Sequence, residues 1–146
     1  MFVGCYEHVL DDKGRTSLPK EFRAVLEGME GGLWMTAYPG CIAILPASEF
    51  ERMRDRLNGE RHAVAAKENL ERMILGMATP CSVDKQGRML IPPHLRKWAK
   101  LDRDLIFTGM GPRAEIWDRQ RHEDALSAAA ANYESYSRDV FGRSEP

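Results

Sequence analysis

Cysteine is scarce in this sequence, and its few copies are badly placed for cross-linking. Of 146 residues only three are cysteines, Cys5, Cys41 and Cys81, and no two of them form a CxxC pair. An odd, widely spaced set argues against a disulfide framework or a cysteine-rich zinc site, and it favours a reducing cytoplasm. We therefore expect a cytoplasmic protein that holds no metal.

Long apolar runs are also missing. No stretch approaches the roughly 20 residues that a membrane helix needs. Residues 1–7 lack both the basic and the apolar segment of a secretory signal. A phosphate-binding loop and a dinucleotide-binding fingerprint are equally absent. We expect no membrane association, no cofactor and no small-molecule ligand.

The sequence has no excess of one charge. Lys and Arg number 21 against 22 Asp and Glu, which gives a formal net charge of -1. Phosphate contacts need cations, but a near-neutral total can hide a local basic face. An oligomer that repeats a small basic patch also gains avidity. Nucleic-acid binding is therefore not excluded.

What the chain does contain is an internal duplication. Residues 11–23 and 84–96 align without gaps and share the pattern D-x-x-G-R-x-x-[L/I]-P-x-x-[F/L]-R. Such self-similarity indicates a repeated structural unit. Five aligned pairs are identical: Asp11/Asp84, Gly14/Gly87, Arg15/Arg88, Pro19/Pro92 and Arg23/Arg96.

Weaker similarity extends the two copies. Residues 33–36 align with 105–108, and residues 42–45 align with 114–117. A unit this small can hardly bury a core alone, so we expect the copies to complete one core together. The chain then divides into a first unit over 1–50, a helical spacer over 51–79, a second unit over 80–118, and a C-terminal helix and tail over 119–146.

Each copy contains the signals of a short strand, a turn and a helix. In the first copy, residues 2–10 are typical of a strand, and residues 11–14 carry Asp and Gly where a type I turn prefers them. Residues 16–18 are the returning strand of this hairpin. Pro19 then fits the first turn of a helix. Two more strands are predicted over 33–37 and 41–45, joined by a Pro-Gly turn.

Helices are predicted outside the two copies. Ser48 and Glu51 form a capping box for a helix that ends at Asn58-Gly59. Phe50, Met53 and Leu57 form an apolar stripe on this helix. A second apolar stripe consists of Leu70, Met73, Ile74 and Met77. A last helix is predicted from Arg119 to about Ser137, followed by a frayed tail from Arg138. Its narrow apolar face consists of Leu126, Ala129, Ala130 and Tyr133.

Basic residues surround both predicted turns. Lys13 and Arg15 lie at the first, and Lys85 and Arg88 at the second. A two-stranded ribbon fits the DNA major groove, where arginine can bind guanine through two hydrogen bonds. Two related hairpins could then bind two similar half-sites. The candidate DNA-binding residues are Arg15, Lys13, Arg88, Lys85, Lys20 and Arg23, with Arg96 and Lys97 adding positive charge.

A purely structural interpretation competes with this one. Asp11 could pair with Arg15, and Asp84 with Arg88, only to hold a tight turn. Turn and helix-start geometry fully accounts for the repeated glycines and prolines, and we expect Phe22 to belong to the core.

The residues around the first turn resemble the opening of the MraZ family. They read Met1-Phe2-x-Gly4-x-Tyr6-x-His8-x-Leu10-Asp11-x-Lys13-Gly14-Arg15, followed by Leu18-Pro19-x-x-Phe22-Arg23. The second copy resembles the same family through Asp84-x-Gln86-Gly87-Arg88-x-x-Ile91-Pro92 and Glu115-Ile116-Trp117. The similarity covers the chain from Met1 to about Trp117.

The resemblance implies a mainly β fold with peripheral helices, in which two tandem swapped-hairpin β-barrel units of the AbrB type share one chain. It also implies a ring-shaped homo-oligomer that binds G-rich direct repeats in double-stranded DNA. These lie upstream of the division and cell-wall gene cluster, which includes the protein's own gene, so a nucleoid-associated regulator of transcription is expected. The family's DNA-contacting arginines correspond to Arg15 and Arg88. Because Gln86 replaces Lys13 in the second copy, the first hairpin is expected to contribute more.

Two other functions remain open on the residues alone. Cys5, His8 and Asp11 could form a catalytic or metal site, although side chains at positions 5 and 8 of a strand point to opposite faces. The barrel could also be an interaction module such as an antitoxin, but such proteins usually have one hairpin unit and a flexible tail. We therefore expect a protein that is not an enzyme.

Overall fold

Both copies of the duplication fold into the same series of elements. The computed structural model describes residues 1–59 and 64–146. The first copy contains strand β1 (Cys5–Val9), strand β2 (Arg15–Ser17), helix α1 (Lys20–Leu26), strand β3 (Leu33–Tyr38) and strand β4 (Cys41–Pro46). Helices α2 (Ala47–Gly59) and α3 (Val64–Ile74) follow. The second copy contains β5 (Thr79–Cys81), β6 (Arg88–Leu90), α4 (Pro93–Trp98), β7 (Asp104–Gly109) and β8 (Ala114–Asp118), and helices α5 (Arg119–Ala131) and α6 (Tyr133–Phe141) end the chain.

The two copies exchange their first strands. Strand β1 of the first copy pairs antiparallel with β7 of the second, and β5 of the second pairs with β3 of the first. Strands β4 and β8 pair across the middle, so the six-stranded sheet has the order β1-β7-β8-β4-β3-β5. This exchange confirms the swapped-hairpin architecture that the resemblance implied.

Strands β2 and β6 form a separate two-stranded ribbon. The returning strand of the first copy therefore does not pair with β1, as a simple hairpin would require; its partner is the equivalent strand of the second copy. Thr16 lies opposite Met89, and in the large sheet Ala43 lies opposite Glu115. Because each of these pairs joins equivalent positions of the two copies, a local twofold axis passes through both pairings.

One hydrophobic core is built from both copies. Phe22 of α1 and its equivalent Leu95 of α4 are 1% and 0% exposed, and both belong to this core. The Phe22 ring packs edge-on against Phe2, Tyr6 and Phe107, with ring centroids 5.3, 5.2 and 6.5 Å away. Since Phe107 comes from the second copy, neither copy encloses its own aromatic cluster.

The spacer helices differ in detail from the prediction. Helix α2 buries Leu57, as its apolar stripe predicted, and Phe50 stacks on Trp34 at 4.8 Å. Ser48 lies within the helix, which begins at Ala47, so the predicted capping box is wrong. Helix α3 ends at Ile74, which leaves Met77 beyond it.

The predicted C-terminal helix is two helices. Asn132 adopts φ -116° and ψ 16° between α5 and α6, and its side-chain amide donates to the Ala128 carbonyl. This side-chain bond offers the backbone an alternative to a continuous helix. The tail is helical as far as Phe141, so fraying from Arg138 is also wrong. The apolar face expected around Leu126 and Tyr133 is exposed in the single chain.

None of the helices in residues 1–59 and 64–146 is both long and apolar enough to cross a bilayer.

Replacing Phe22 should destabilise the whole molecule. Phe22→Ala removes a fully buried ring that contacts both copies, and we expect it to lower the free energy of unfolding by about 3–5 kcal/mol. Chemical denaturation monitored by circular dichroism measures this change. Phe141→Ala is the matched control, because Phe141 is 57% exposed and its loss should change stability by less than about 0.5 kcal/mol. Equal stability of the two variants would contradict the shared core.

Candidate nucleic-acid interface

The two predicted turns have the same backbone geometry. In the first turn, residues 11–15, the Gly14 amide donates to the Asp11 carbonyl at 3.0 Å, and the Asp11 amide donates to the Arg15 carbonyl at 2.9 Å. In the second turn, residues 84–88, the equivalent distances are 2.9 and 3.0 Å. The local sequence signals therefore fix the turns, although the strands on either side pair elsewhere.

An aspartate in each turn holds the arginine that follows it. Asp11 Oδ1 accepts from the backbone amides of Lys13 and Arg15 at 2.9 and 2.8 Å, and Asp11 Oδ2 accepts from Arg15 Nε at 2.9 Å. Asp84 makes the same three contacts, ending with Arg88 Nε at 3.1 Å. Each aspartate thus closes its turn and also orients the arginine that follows. The structural interpretation gave these carboxylates only the first of these two roles, so it is incomplete.

The pKa values of both aspartates lie below the ordinary value of 3.8. The main cause is the hydrogen bond from the backbone amide of Arg15 to Asp11, and that of Arg88 to Asp84. The neighbouring guanidinium lowers each pKa further. We call the contacts of Asp11 with Arg15 and of Asp84 with Arg88 the aspartate clamps. Because hydrogen bonds to an ionised carboxylate stabilise that form, both clamps persist at acidities where a free aspartate is protonated.

Both arginines lie on one exposed face of the β2–β6 ribbon, which we call the arginine face. Arg15 lies opposite Leu90, and Ser17 lies opposite Arg88. The Arg15 and Arg88 side chains are 47% and 51% exposed, whereas Thr16 and Met89, on the other face, are buried. The two arginines are therefore diagonal neighbours on one ribbon, and not on two separate hairpins as the sequence suggested.

The clamps leave the outer ends of the arginines unengaged. Each guanidinium uses its Nε against aspartate, and within the described residues no protein acceptor contacts the terminal nitrogens of Arg15 or Arg88. Lys13, Lys20 and Lys85 are also exposed around the ribbon. The arrangement presents oriented guanidinium donors on the ribbon and exposed ammonium groups in the same two turns and at the start of α1.

Arg23 and Arg96 each contact the turn of the other copy, an arrangement that we call the crossed packing. The Arg23 guanidinium lies directly against the α-carbon of Gly87, and the Arg96 guanidinium lies against Gly14, where an added Cβ would be 2.8 Å from its Cζ. Both arginines are half-buried, and their Nε atoms are buried without a partner among the described residues. Arg23 therefore does not add a free charge beside its own turn, as the sequence suggested; it supports the turn of the other copy.

This crossing gives the repeated glycines a second role. Gly14 and Gly87 have φ values of 80° and 81°, which glycine adopts without strain. Their missing side chains also make room for the guanidinium of the other copy. The sequence analysis predicted only the role in the backbone conformation. The sign of the second role in the sequence was that arginine occupies both equivalent positions, 23 and 96.

The candidate catalytic residues do not come together. Cys5 Sγ is 2.9 Å from Thr108 Oγ1, the His8 ring packs against Phe107, and Asp11 is engaged by Arg15. Burial raises the pKa of Cys81 to about 11, so its thiolate is not available near neutral pH. Over residues 1–59 and 64–146, no three His, Cys, Asp or Glu side chains are grouped as a metal site would require.

The fold and its site define a class of protein: two tandem swapped-hairpin units that display paired, aspartate-held arginines on a shared ribbon. The family model described as "MraZ protein, putative antitoxin-like" matches residues 1–73 and again residues 74–143. The chain belongs to the MraZ family.

Similar proteins bear the same family name. "Transcriptional regulator MraZ" of Heliobacterium modesticaldum is 37% identical over 97% of this chain and 97% of its own length. Its namesake in Salinispora arenicola is 38% identical over 97% of this chain and 98% of its own. The one in Geobacter sulfurreducens is 34% identical over 96% and 97%. The similarity thus extends well beyond the turns, into the C-terminal helices.

The aspartate clamps should be visible in a titration. We expect the side-chain carboxyl carbons of Asp11 and Asp84, followed by NMR, to titrate below pH 3.8. Since the folded pKa is the lower one, the clamp's stabilisation is complete above the ordinary range and is lost as pH falls through the lowered pKa. Arg15→Ala should raise the pKa of Asp11 only in part, because the backbone amide remains. A wild-type Asp11 that titrates at or above 3.8 would contradict the clamp.

The crossed packing can be tested at Gly87. Gly87→Ala forces a Cβ into Arg23 as well as a left-handed backbone, so we expect a loss of more than the roughly 1–2 kcal/mol that the backbone alone costs. Gly32→Ala is the matched control, because Gly32 has a similar φ of 72° and open space around its α-carbon. Denaturation midpoints compare the two variants. Equal losses would show that Arg23 does not crowd Gly87.

Proposed function

We propose that this protein is a DNA-binding regulator of transcription and that the arginine face of the β2–β6 ribbon enters the major groove. The observation that supports this most strongly is the pair of Arg15 and Arg88, clamped by aspartate and exposed on one face of a two-stranded ribbon. Relatives of nearly the same length are named transcriptional regulators. No catalytic role is proposed.

The size of the ribbon suits the groove. The major groove is about 12 Å wide and admits a two-stranded β-ribbon. Diagonal neighbours on an antiparallel pair lie about 7–8 Å apart, so Arg15 and Arg88 span about two base-pair steps of roughly 3.4 Å each. The two arginines would therefore contact nearby base pairs of one site.

The clamp suits guanine recognition. Aspartate occupies the Nε edge of each guanidinium, and the terminal nitrogens remain for the O6 and N7 atoms of guanine. Leu90, 55% exposed on the same face, would contact a thymine methyl group or the edge of a base. The carboxylates themselves face their arginines and would not contact phosphate.

The surrounding lysines would hold the DNA backbone. Lys13, Lys20 and Lys85 are exposed and would contact phosphates, which supply affinity but no sequence information. Arg23 would act at the same interface by supporting the second turn. The first turn would contribute more than the second, because Lys13 is replaced there by Gln86.

The target and the assembly follow from the family resemblance. The proposed sites are G-rich direct repeats upstream of the division and cell-wall gene cluster, which includes the protein's own gene. The proposed assembly is a ring-shaped homo-oligomer in the cytoplasm, associated with the nucleoid. Repetition of a modest basic ribbon around such a ring would raise the affinity for repeated sites.

Fluorescence anisotropy tests the function directly. Purified protein is titrated onto duplex DNA from upstream of its own gene and onto a scrambled duplex, over a series of salt concentrations. We expect tighter binding to the upstream duplex, with an affinity that falls steeply with salt. Equal binding to both duplexes, or none to either, would contradict a sequence-specific regulator and favour the interaction-module alternative.

Arg15→Ala tests the arginine face. We expect this variant to lose about 1–3 kcal/mol of binding free energy per contacted site on the upstream duplex, and more where sites are repeated. Arg52→Ala is the control, because Arg52 is an exposed arginine on α2 that pairs with Glu49. If Arg15→Ala keeps the wild-type fold and binds with the wild-type Kd, Arg15 does not contribute to DNA binding.

A further inference from the structure

The surroundings of the two turns differ in charge although their backbones match. Because of the crossed packing, Arg96 places the end of α4 beside the first turn, and Arg23 places α1 beside the second. After Arg96, residues 97–103 contain three cations and one carboxylate. After Arg23, residues 24–32 contain no cation and two carboxylates. The duplication therefore provides an internal comparison in which only the first turn has a basic segment after the arginine that packs against it.

The basic segment is tied to the first turn. The Leu10 amide, just before the turn, donates to the Arg103 carbonyl at 2.8 Å. A surface cleft of about 910 Å³ lies between the turn and the segment. Its charged lining is Asp11, Asp12, Arg96, Lys97, Lys100, Asp102 and Arg103. Asp11 borders this cleft and also holds Arg15, so the cleft adjoins the arginine face.

Lys100 occupies a backbone position that glycine normally fills. Its φ is 52°, the one positive value of a non-glycine residue in the described part of the chain. The Lys100 amide donates to the Lys97 carbonyl at 3.2 Å, and the Leu101 amide donates to the Arg96 carbonyl at 3.0 Å. These two bonds form a Schellman motif, in which glycine is the usual left-handed residue. The first copy has Gly28, with φ 82°, after its own helix.

A lysine kept in a left-handed conformation has a cost that glycine avoids. Lys97 and Lys100 are exposed, and neither takes part in an ion pair within residues 1–59 and 64–146. Within the described ranges, no hydrogen bond or ion pair of its side chain accounts for the lysine at position 100. Asp12 and Asp102 line the same cleft, so the surface would act through individual ammonium groups and not through a strong overall field.

We propose that Lys97 and Lys100, at the C-terminal end of α4, form a second DNA contact that binds the phosphate backbone beside the first turn only. This inference rests on the proposed DNA-binding function and adds a surface to it. The phosphates would run along the cleft while Arg15 contacts the bases. The second turn lacks these two lysines, because Ala24 within α1 and Gly28 after it occupy the corresponding positions.

The test compares variants of the full chain that separate stability from DNA binding. Lys100→Gly removes the ammonium group and also relieves the left-handed lysine, so its melting temperature should equal or exceed that of the wild type. Lys97→Gln removes a charge without changing the backbone. Lys67→Gln is the control, because Lys67 lies on α3, outside the cleft, and pairs with Glu71 at 3.6 Å.

The readout is the slope of log affinity against log salt, measured by anisotropy on the upstream and the scrambled duplex. Each cleft variant should reduce the magnitude of the slope by about 0.9 on both duplexes and weaken binding by roughly 3- to 10-fold near 0.1 M salt. Lys67→Gln should leave slope and affinity unchanged. Unchanged slopes for both cleft variants, with wild-type preference for the upstream duplex intact, would overturn this surface and leave the proposed function standing.

Three further outcomes are informative. Wild-type protein that binds neither duplex would overturn the proposed function and this surface together. A melting temperature of Lys100→Gly below that of the wild type would overturn the conclusion that the lysine is kept against its conformational preference. Equal slope losses on both duplexes, without any wild-type preference, would support the phosphate surface while contradicting sequence-specific recognition.

Discussion

The antiparallel pairing of each copy with the other is the constraint on which the molecule depends. Strand β2 has no partner within its own copy, so the ribbon that carries Arg15 and Arg88 exists only when β6 lies beside it. The same exchange places β1 on β7 and β5 on β3, and it brings Phe107 against Phe22. The core and the candidate site are thus formed by the same pairing, and loss of one should remove the other.

The identical positions of the duplication follow from this constraint. Each aspartate closes a turn and orients an arginine, each glycine turns the backbone and makes room for a guanidinium, and each proline immediately precedes a helix. The second arginine of the pattern reaches the turn of the opposite copy. A substitution at any of these positions in one copy therefore affects a contact shared with the other, which gives a physical reason for the same five residues to stand in both.

Much of the fold could be predicted from local sequence signals. The features that depend on contacts between distant residues could not. The turns at Asp11 and Asp84, the strands over 33–38 and 41–46 and the proline-led helices carry their signals within a few residues. The pairing of β2 with β6 has no local signal, and only the family resemblance indicated it. Arg23 was expected to add positive charge near its own turn because spacing along the chain cannot show a crossing. The break at Asn132 was missed because it depends on one side-chain bond.

The charged residues differ between the two copies, whereas the backbone of the ribbon has twofold symmetry. A ribbon with a twofold axis between Thr16 and Met89 would by itself suit a palindromic site, whose halves are related in the same way. Direct repeats, the proposed target, have a direction. In the duplication Lys13 corresponds to Gln86, Lys97 to Ala24 and Lys100 to Gly28, and these three differences favour the first turn, although Lys85 stands where the first turn has Asp12. A symmetric scaffold with more phosphate contacts on one side would favour one orientation on each repeat, because the reversed orientation would place the basic end of α4 away from the phosphates that it contacts. Duplication within one chain makes this possible, since a dimer of identical chains could not confine such differences to one half.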